Sequence, residues 1–241
     1  MTQQRGSIMK FARHACAEVL LVVLGILIAF QIDTWNNGRQ LRQKELQYLS
    51  SIRDGLLADK QSIDKVTRQN LGKIDVIDAL LQLFAGQVSN ERAADALVEH
   101  AFTIGTFDLY IPNRVAFDNM VSAETIELVT DRTLRLQLAS YYSALTPDRG
   151  TQERVAEISR RMADFFAADL THASETPGLF TFDNSGIRKK SEVVLHRDEA
   201  FLGNLQLLRA VSVAQNDELE DKVVAIDQLL AGIQLQLGED G

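Results

Sequence analysis

The sequence predicts an all-α protein: an N-terminal single transmembrane helix followed by a helical-bundle extramembrane domain. Three observations carry this. The stretch from Ala15 to Trp35 is almost wholly apolar. Beyond it, Leu46, Leu49, Leu56, Ile63, Val66, Ile74, Ile77, Leu81 and Phe84 recur at helical spacing. Only three prolines interrupt the 241 residues, and no β-branched alternation is sustained anywhere.

The uninterrupted apolar run, Val19 to Phe30, is twelve residues long. That is about 18 Å of helix, short of a hydrocarbon core of about 30 Å. Its flanks lengthen it. Ala15 to Trp35 spans about 31 Å and sets Glu18 and Gln31/Asp33 near the two headgroup regions. Trp35, the single tryptophan, then sits where interfacial aromatics anchor a span. A cleaved signal would need small residues ahead of its cut site, and Phe30, Gln31, Ile32 and Asp33 offer none. A soluble core helix would not follow so directly on a basic, acid-free N-terminus (Arg5, Lys10, Arg13). An uncleaved signal anchor fits both facts. Residues 1–14 are thus a short basic segment, 15–36 the transmembrane helix and 37–241 the helical domain.

Positive-inside counting is nearly balanced, because Arg39, Arg42 and Lys44 follow the span closely. The balance tips toward a cytoplasmic N-terminus, since Asp33 and Glu45 dilute those cations and a large acidic domain follows. The expected location is a bacterial inner membrane with the main domain periplasmic. From Asn37 onward lie 22 of the 25 basic and 31 of the 33 acidic residues, which disfavours nucleic acid as a partner. The lone Cys16 lies at the span, so the domain has neither disulfides nor cysteine-based zinc sites.

Past the span, one long helix is expected to about Phe84, the first of a bundle; Gly55 and Gly72 weaken it. Lys60 and Asn70 break a strict coiled-coil seam. After a turn at "GQVSN" comes a helix from Glu91 to Phe102. Pro112 keeps "TFDLYIPNR" extended. Two short helices follow in "RVAFDNMVSA" and "TDRTLRLQLASYYSAL", joined by "ETIELV", with Thr130 or Asp131 as cap of the second. "TPDRG" reads as a turn before a helix reaching about Leu170, and "SETPGLFTFDNSG" as the longest loop. Two helices, Asp198 to Val213 and Asp217 to Leu237, close the chain.

Two stretches carry a resemblance. "AEVLLVVLGILIAFQIDTWNN" resembles the opening of an uncharacterised family of bacterial single-pass membrane proteins, through Glu18, Gly25-Ile26-Leu27-Ile28-Ala29 and Trp35-Asn36. "FDNMVSAETIELVTDRTLRLQLASYY" is similar to that family's central helical segment, through Phe117, Ser122, Asp131, Leu134-Arg135 and Tyr141. The resemblance implies topology and no chemistry.

At 100° per residue, Glu18, Val22, Gly25, Ala29, Asp33 and Asn36 share one face of the span, with His14 beside it. Gly25 and Ala29 form a small-xxx-small pair that lets helices approach closely in lipid, and intramembrane carboxylates usually turn toward protein. The competing reading places Glu18 among headgroups, paired with His14. Chemistry is otherwise sparse. The four histidines form no metalloprotease or di-iron pattern, and there is no phosphate loop, dinucleotide fingerprint or nucleophile elbow. Glu192 and His196 read as a solvated pair, and Tyr141 and Tyr142 as core packing at a helix end. No catalytic residue, metal site or cofactor is expected. The expected role is a non-catalytic assembly or accessory subunit whose partners are membrane lipid and other transmembrane helices, its own or those of a larger complex. A ligand-sensing domain acting through a partner, or a homo-oligomeric pore lined by Glu18, Gly25, Ala29 and Asp33, remain the alternatives.

Overall fold

Pro112 is the first proline, and the apolar stripe keeps its phase from the span onward, so nothing early in the chain stops a helix once begun. The structure, a computed structural model, describes residues 3–86, 88–145, 150–167 and 195–238, with side chains from Leu20 onward and up to Asp164 in the third segment. In it α1 (Gln3–Ala85) is one helix of 83 residues, a rod of about 125 Å. No linker separates the apolar stretch from the helical domain at the expected 36/37 boundary. The glycines of α1 cost about 1 kcal/mol each relative to alanine and do not break it. Gly55 has a use: a Cβ there would meet the Asn113 side chain at 3.3 Å, so the missing side chain lets the 106–114 segment cross close to α1.

α1 ends at a bend on Gly86, and Ser89 caps α2 (Asn90–Gly105) by accepting from Arg92 N at 3.4 Å. Residues 106–114 form neither helix nor strand; Thr106 is extended and Arg114 returns to the helical region, and Pro112 disfavours helix at the residue before it. α3 (Val115–Ser122) follows, then a short 3₁₀ turn, Ile126–Leu128, within "ETIELV". Of the two cap candidates, Asp131 caps α4 (Arg132–Ala144), accepting from Thr133 N and Leu134 N. α5 is Gly150–Ala167. Thr146 to Arg149 of the expected turn, the expected loop "SETPGLFTFDNSG" and the last residues of the helix expected to reach Leu170 lie outside the described residues.

The chain closes with α6, Glu199–Gly238. The two helices expected there are one. Ser212, Gln215 and Asn216 look like a polar break, yet Ser212 and Gln215 are fully buried, and Asn70 of α1 donates to Gln215 Oε1 (2.8 Å) and Asn216 Oδ1 (2.9 Å). Polarity at that point marks a contact and not a turn. Lys60–Asp227, Asn70–Gln215 and Asp78–Arg209 pair in order, so α1 and α6 run antiparallel side by side.

Two apolar clusters fill the bundle. The one nearer the span joins Leu49, Ile52, Leu56, Ile63 and Val66 to Phe117, Met120, Leu134, Leu138, Tyr142 and Ile226. The farther one joins Ile77 and Leu80 to Leu97, Val155, Ile158, Phe201 and Leu205. Between them lies a polar layer of Asn70, Lys73, Ser159, Ser212 and Gln215, none more than 2% exposed.

Candidate functional site

From Leu20 to Gln40 every residue of α1 is exposed. Leu20, Leu21, Ile26, Phe30 and Trp35 are each more than 60% exposed, whereas Leu49 and Leu56, on the same helix, are fully covered. A continuous apolar surface of that extent is not stable in water. By length and composition this helix can cross a membrane.

Val22, Gly25, Ala29 and Asp33 all lie on this uncovered segment, at spacings that align them on one side of the helix. The Glu18 backbone continues the same face; its side chain, like that of His14, lies outside the described residues. Around Gly25 nothing stands within 4 Å of an added Cβ, so the intramolecular packing places no demand on its smallness. At the far end Asp33 Oδ2 accepts from Asn37 Nδ2 (3.2 Å), and Thr34 Oγ1 donates to the Phe30 carbonyl (2.8 Å). The Arg39 guanidinium stands 5.9 Å from the Trp35 ring centroid, a cation–π pair suited to an interface.

The helical domain begins abruptly. Glu45, ten residues past Trp35 and 1% exposed, accepts from Thr130 N (2.6 Å), Thr130 Oγ1 (3.0 Å) and Arg42 Nη1 (2.7 Å). Arg42 Nη2 also donates to the Gln236 carbonyl (3.1 Å). This clamp ties α1 to the loop before α4 and to the end of α6, about 15 Å along the rod from Trp35. In the sequence Arg42 and Glu45 count only as charges flanking the span and Thr130 only as a cap candidate, and nothing there joins them.

Two interior polar groups also escaped the sequence reading. Asp59, 2% exposed, accepts from Asn113 N (2.8 Å) and so holds the 106–114 segment against α1. Its other oxygen and the hydroxyls of Tyr110 and Tyr141 are buried together, Tyr110 interacting with both Asp59 and Tyr141 though outside ordinary hydrogen-bond geometry. Burial pushes the Asp59 carboxyl up against the lowering effect of the Asn113 N–H, and raises Tyr110 and Tyr141 above the ordinary phenol range. Lys73, fully buried, donates to Ser159 Oγ (3.2 Å); burial lowers its pKa to about 8, opposed by the Asp108 charge. Tyr142 packs as expected, stacked on Phe117 with centroids 4.3 Å apart. The solvated Glu192–His196 pair is corrected in part. His196 is buried (5% exposed) beside Phe84 and accepts from Arg197 Nε (3.1 Å), while Glu192 lies outside the described residues. Among the described residues, no group of three or more His, Cys, Asp or Glu side chains could hold a metal ion.

Fold and surface together define an all-helical protein with one N-terminal helix able to span a membrane, continuous with a helical domain. The model of the family of unknown function DUF6090 matches residues 18–172, and the chain belongs to that family. The match starts at Glu18 and takes in both stretches that carried the resemblance, apart from Ala17. It stops short of α6. No curated protein matches, and no solved structure does.

Proposed function

We propose that the protein is a non-catalytic, membrane-anchored assembly or accessory subunit. It packs the face of Glu18, Val22, Gly25, Ala29 and Asp33 against other transmembrane helices and holds its helical domain on the periplasmic side of a bacterial inner membrane. The observation that supports this best is the Leu20–Gln40 segment, every residue of which is exposed. Lipid covers the leucine, isoleucine and phenylalanine side chains. A second helix gives the small residues of the other face a use, by close backbone approach.

The test is the native size and composition of the full chain in mild detergent, at matched expression. The parent runs as a defined oligomer or stoichiometric complex. Gly25→Ile places a branched side chain at the crossing and breaks that species. Glu18→Ala removes one polar contact worth well under 2 kcal/mol and weakens it about threefold to tenfold. A parent that is monomeric and travels alone, or two variants that assemble as the parent does, overturns the reading.

A further inference from the structure

α2 and α5 pack on one side of the α1/α6 pair, with α3 and α4 farther along it. Elsewhere the pair leaves an open groove of about 780 Å³ running from Lys60 to Ile74 of α1 and from Val213 to Val223 of α6. Its floor is apolar: Ile63, Leu71, Ile74, Val213 and Val223. Leu71 is 50% and Val213 36% exposed, so hydrophobic surface is left open to solvent there. The α6 rim is acidic, with Asp217 and Glu220, whereas the charges of the α1 rim are paired, Asp64 with Arg68 (2.6 Å) and Lys60 with Asp227.

We infer that this groove is a docking site for an amphipathic helix of another protein, with an apolar face and lysine or arginine on the flank that meets α6. Charge complementarity selects the occupant. An apolar floor beside the acidic α6 rim takes a hydrophobic stripe bordered by cations and repels one bordered by carboxylates. Length agrees: Lys60 to Ile74 covers about 21 Å, or four turns of a docked helix. A second copy presenting the same surface would set Asp217 and Glu220 against their own counterparts, which disfavours it. The groove starts about 38 Å along the unbroken rod from Trp35, so the docked segment belongs to an extramembrane part of its protein. This inference does not depend on the span packing against other helices.

The experiment uses the full chain in phosphatidylcholine nanodiscs, with a benzophenone photocrosslinker in place of Thr67 in the groove. The probes are a fourteen-residue helical peptide of leucine, alanine and lysine, and the same peptide with glutamate for lysine; empty nanodiscs give the background. The lysine peptide crosslinks and the glutamate peptide does not. Leu71→Glu in the same chain weakens crosslinking about tenfold by spoiling the apolar floor, although it makes the protein more acidic. That sign separates seating in the groove from general attraction to an acidic domain. Leu71 is half exposed, so the variant keeps its fold, and circular dichroism checks this. Equal crosslinking of both peptides, crosslinking strengthened by Leu71→Glu, or chain-to-chain crosslinks in place of peptide adducts each overturn the inference.

Discussion

A lysine with no exposed surface is costly at neutral pH. Lys73 has one hydrogen-bond partner, Ser159 Oγ, and burial lowers its pKa from 10.5 to about 8. At pH 7 it is therefore held as an ammonium in a site that disfavours charge. Between about pH 8 and 10 the folded chain binds fewer protons here than the unfolded chain, so stability rises with pH by on the order of 2 kcal/mol. The window closes near pH 10. There Tyr110, Tyr141 and Tyr142, raised in the fold, remain protonated while their unfolded counterparts ionise, and stability falls again. Lys73→Met should stabilise the protein at pH 7 by about 2 kcal/mol and remove the rise between pH 8 and 10. Denaturant unfolding of both chains at pH 7, 8 and 10 checks it; an unchanged pH slope in the variant sinks the assignment. None of this was legible beforehand. Lys73, Asp59 and Glu45 are ordinary helix-surface residues by type, and only the helices and loops packed over them, distant in sequence, make them interior.

At the scale of elements, local signals were legible wherever a local cause fixes structure. Asp131 is an example: its carboxylate accepts from Thr133 N (2.7 Å) and Leu134 N (3.1 Å), and its other oxygen accepts from Gln236 Nε2 (3.3 Å). Asp131→Ala should cost about 1 kcal/mol for the lost cap, and more to the extent that the contact with α6 counts. Asp131→Asn keeps an acceptor for the helix N-terminus and should recover most of it. A cap that matters gives two clearly different denaturant midpoints for the variants; equal midpoints refute it. The failure at α6 has the opposite cause. Nothing in "VSVAQNDELE" is a helix breaker, and its polarity answers Asn70 across the bundle. The uncovered face of the span was readable because helical periodicity alone places Val22, Gly25, Ala29 and Asp33 together. The clamp at Glu45 was not, since it joins residues of which Thr130 lies 85 positions away.

For the molecule as a whole, the unbroken α1 joins the apolar N-terminal stretch to the helical domain without a linker. No residue from Leu20 to Gln40 is covered by the bundle, and the clamp that closes its base begins at Arg42. Residues 40–241 should therefore fold without the span into a soluble, mainly helical protein, with cooperative unfolding. Circular dichroism with substantial β signal, or a non-cooperative melt, contradicts this.

Orientation is the remaining property of the proposed span, and flanking charge is expected to set it. Arg5, Lys10 and Arg13 precede the span with no acid among them, whereas Arg39, Arg42 and Lys44 follow it in company with Asp33 and Glu45. Arg42 is further committed to Glu45 and the Gln236 carbonyl once the domain folds, although insertion is decided before that. The bias toward a retained N-terminus is small, because acidic residues count little in the rule. Small biases can be moved. Alkaline phosphatase fused after Gly241 should be active in whole cells, and a cytoplasmic reporter at the same point should be silent. Replacing Arg5, Lys10 and Arg13 together by asparagine should then leave Arg39, Arg42 and Lys44 as the dominant cations and shift part of the population to the reverse orientation. Alkaline phosphatase activity would fall and the cytoplasmic signal would appear. A parent fusion with the opposite pattern places the helical domain in the cytoplasm. A triple variant that behaves as the parent does shows that the folded acidic domain, and not the N-terminal cations, sets the topology.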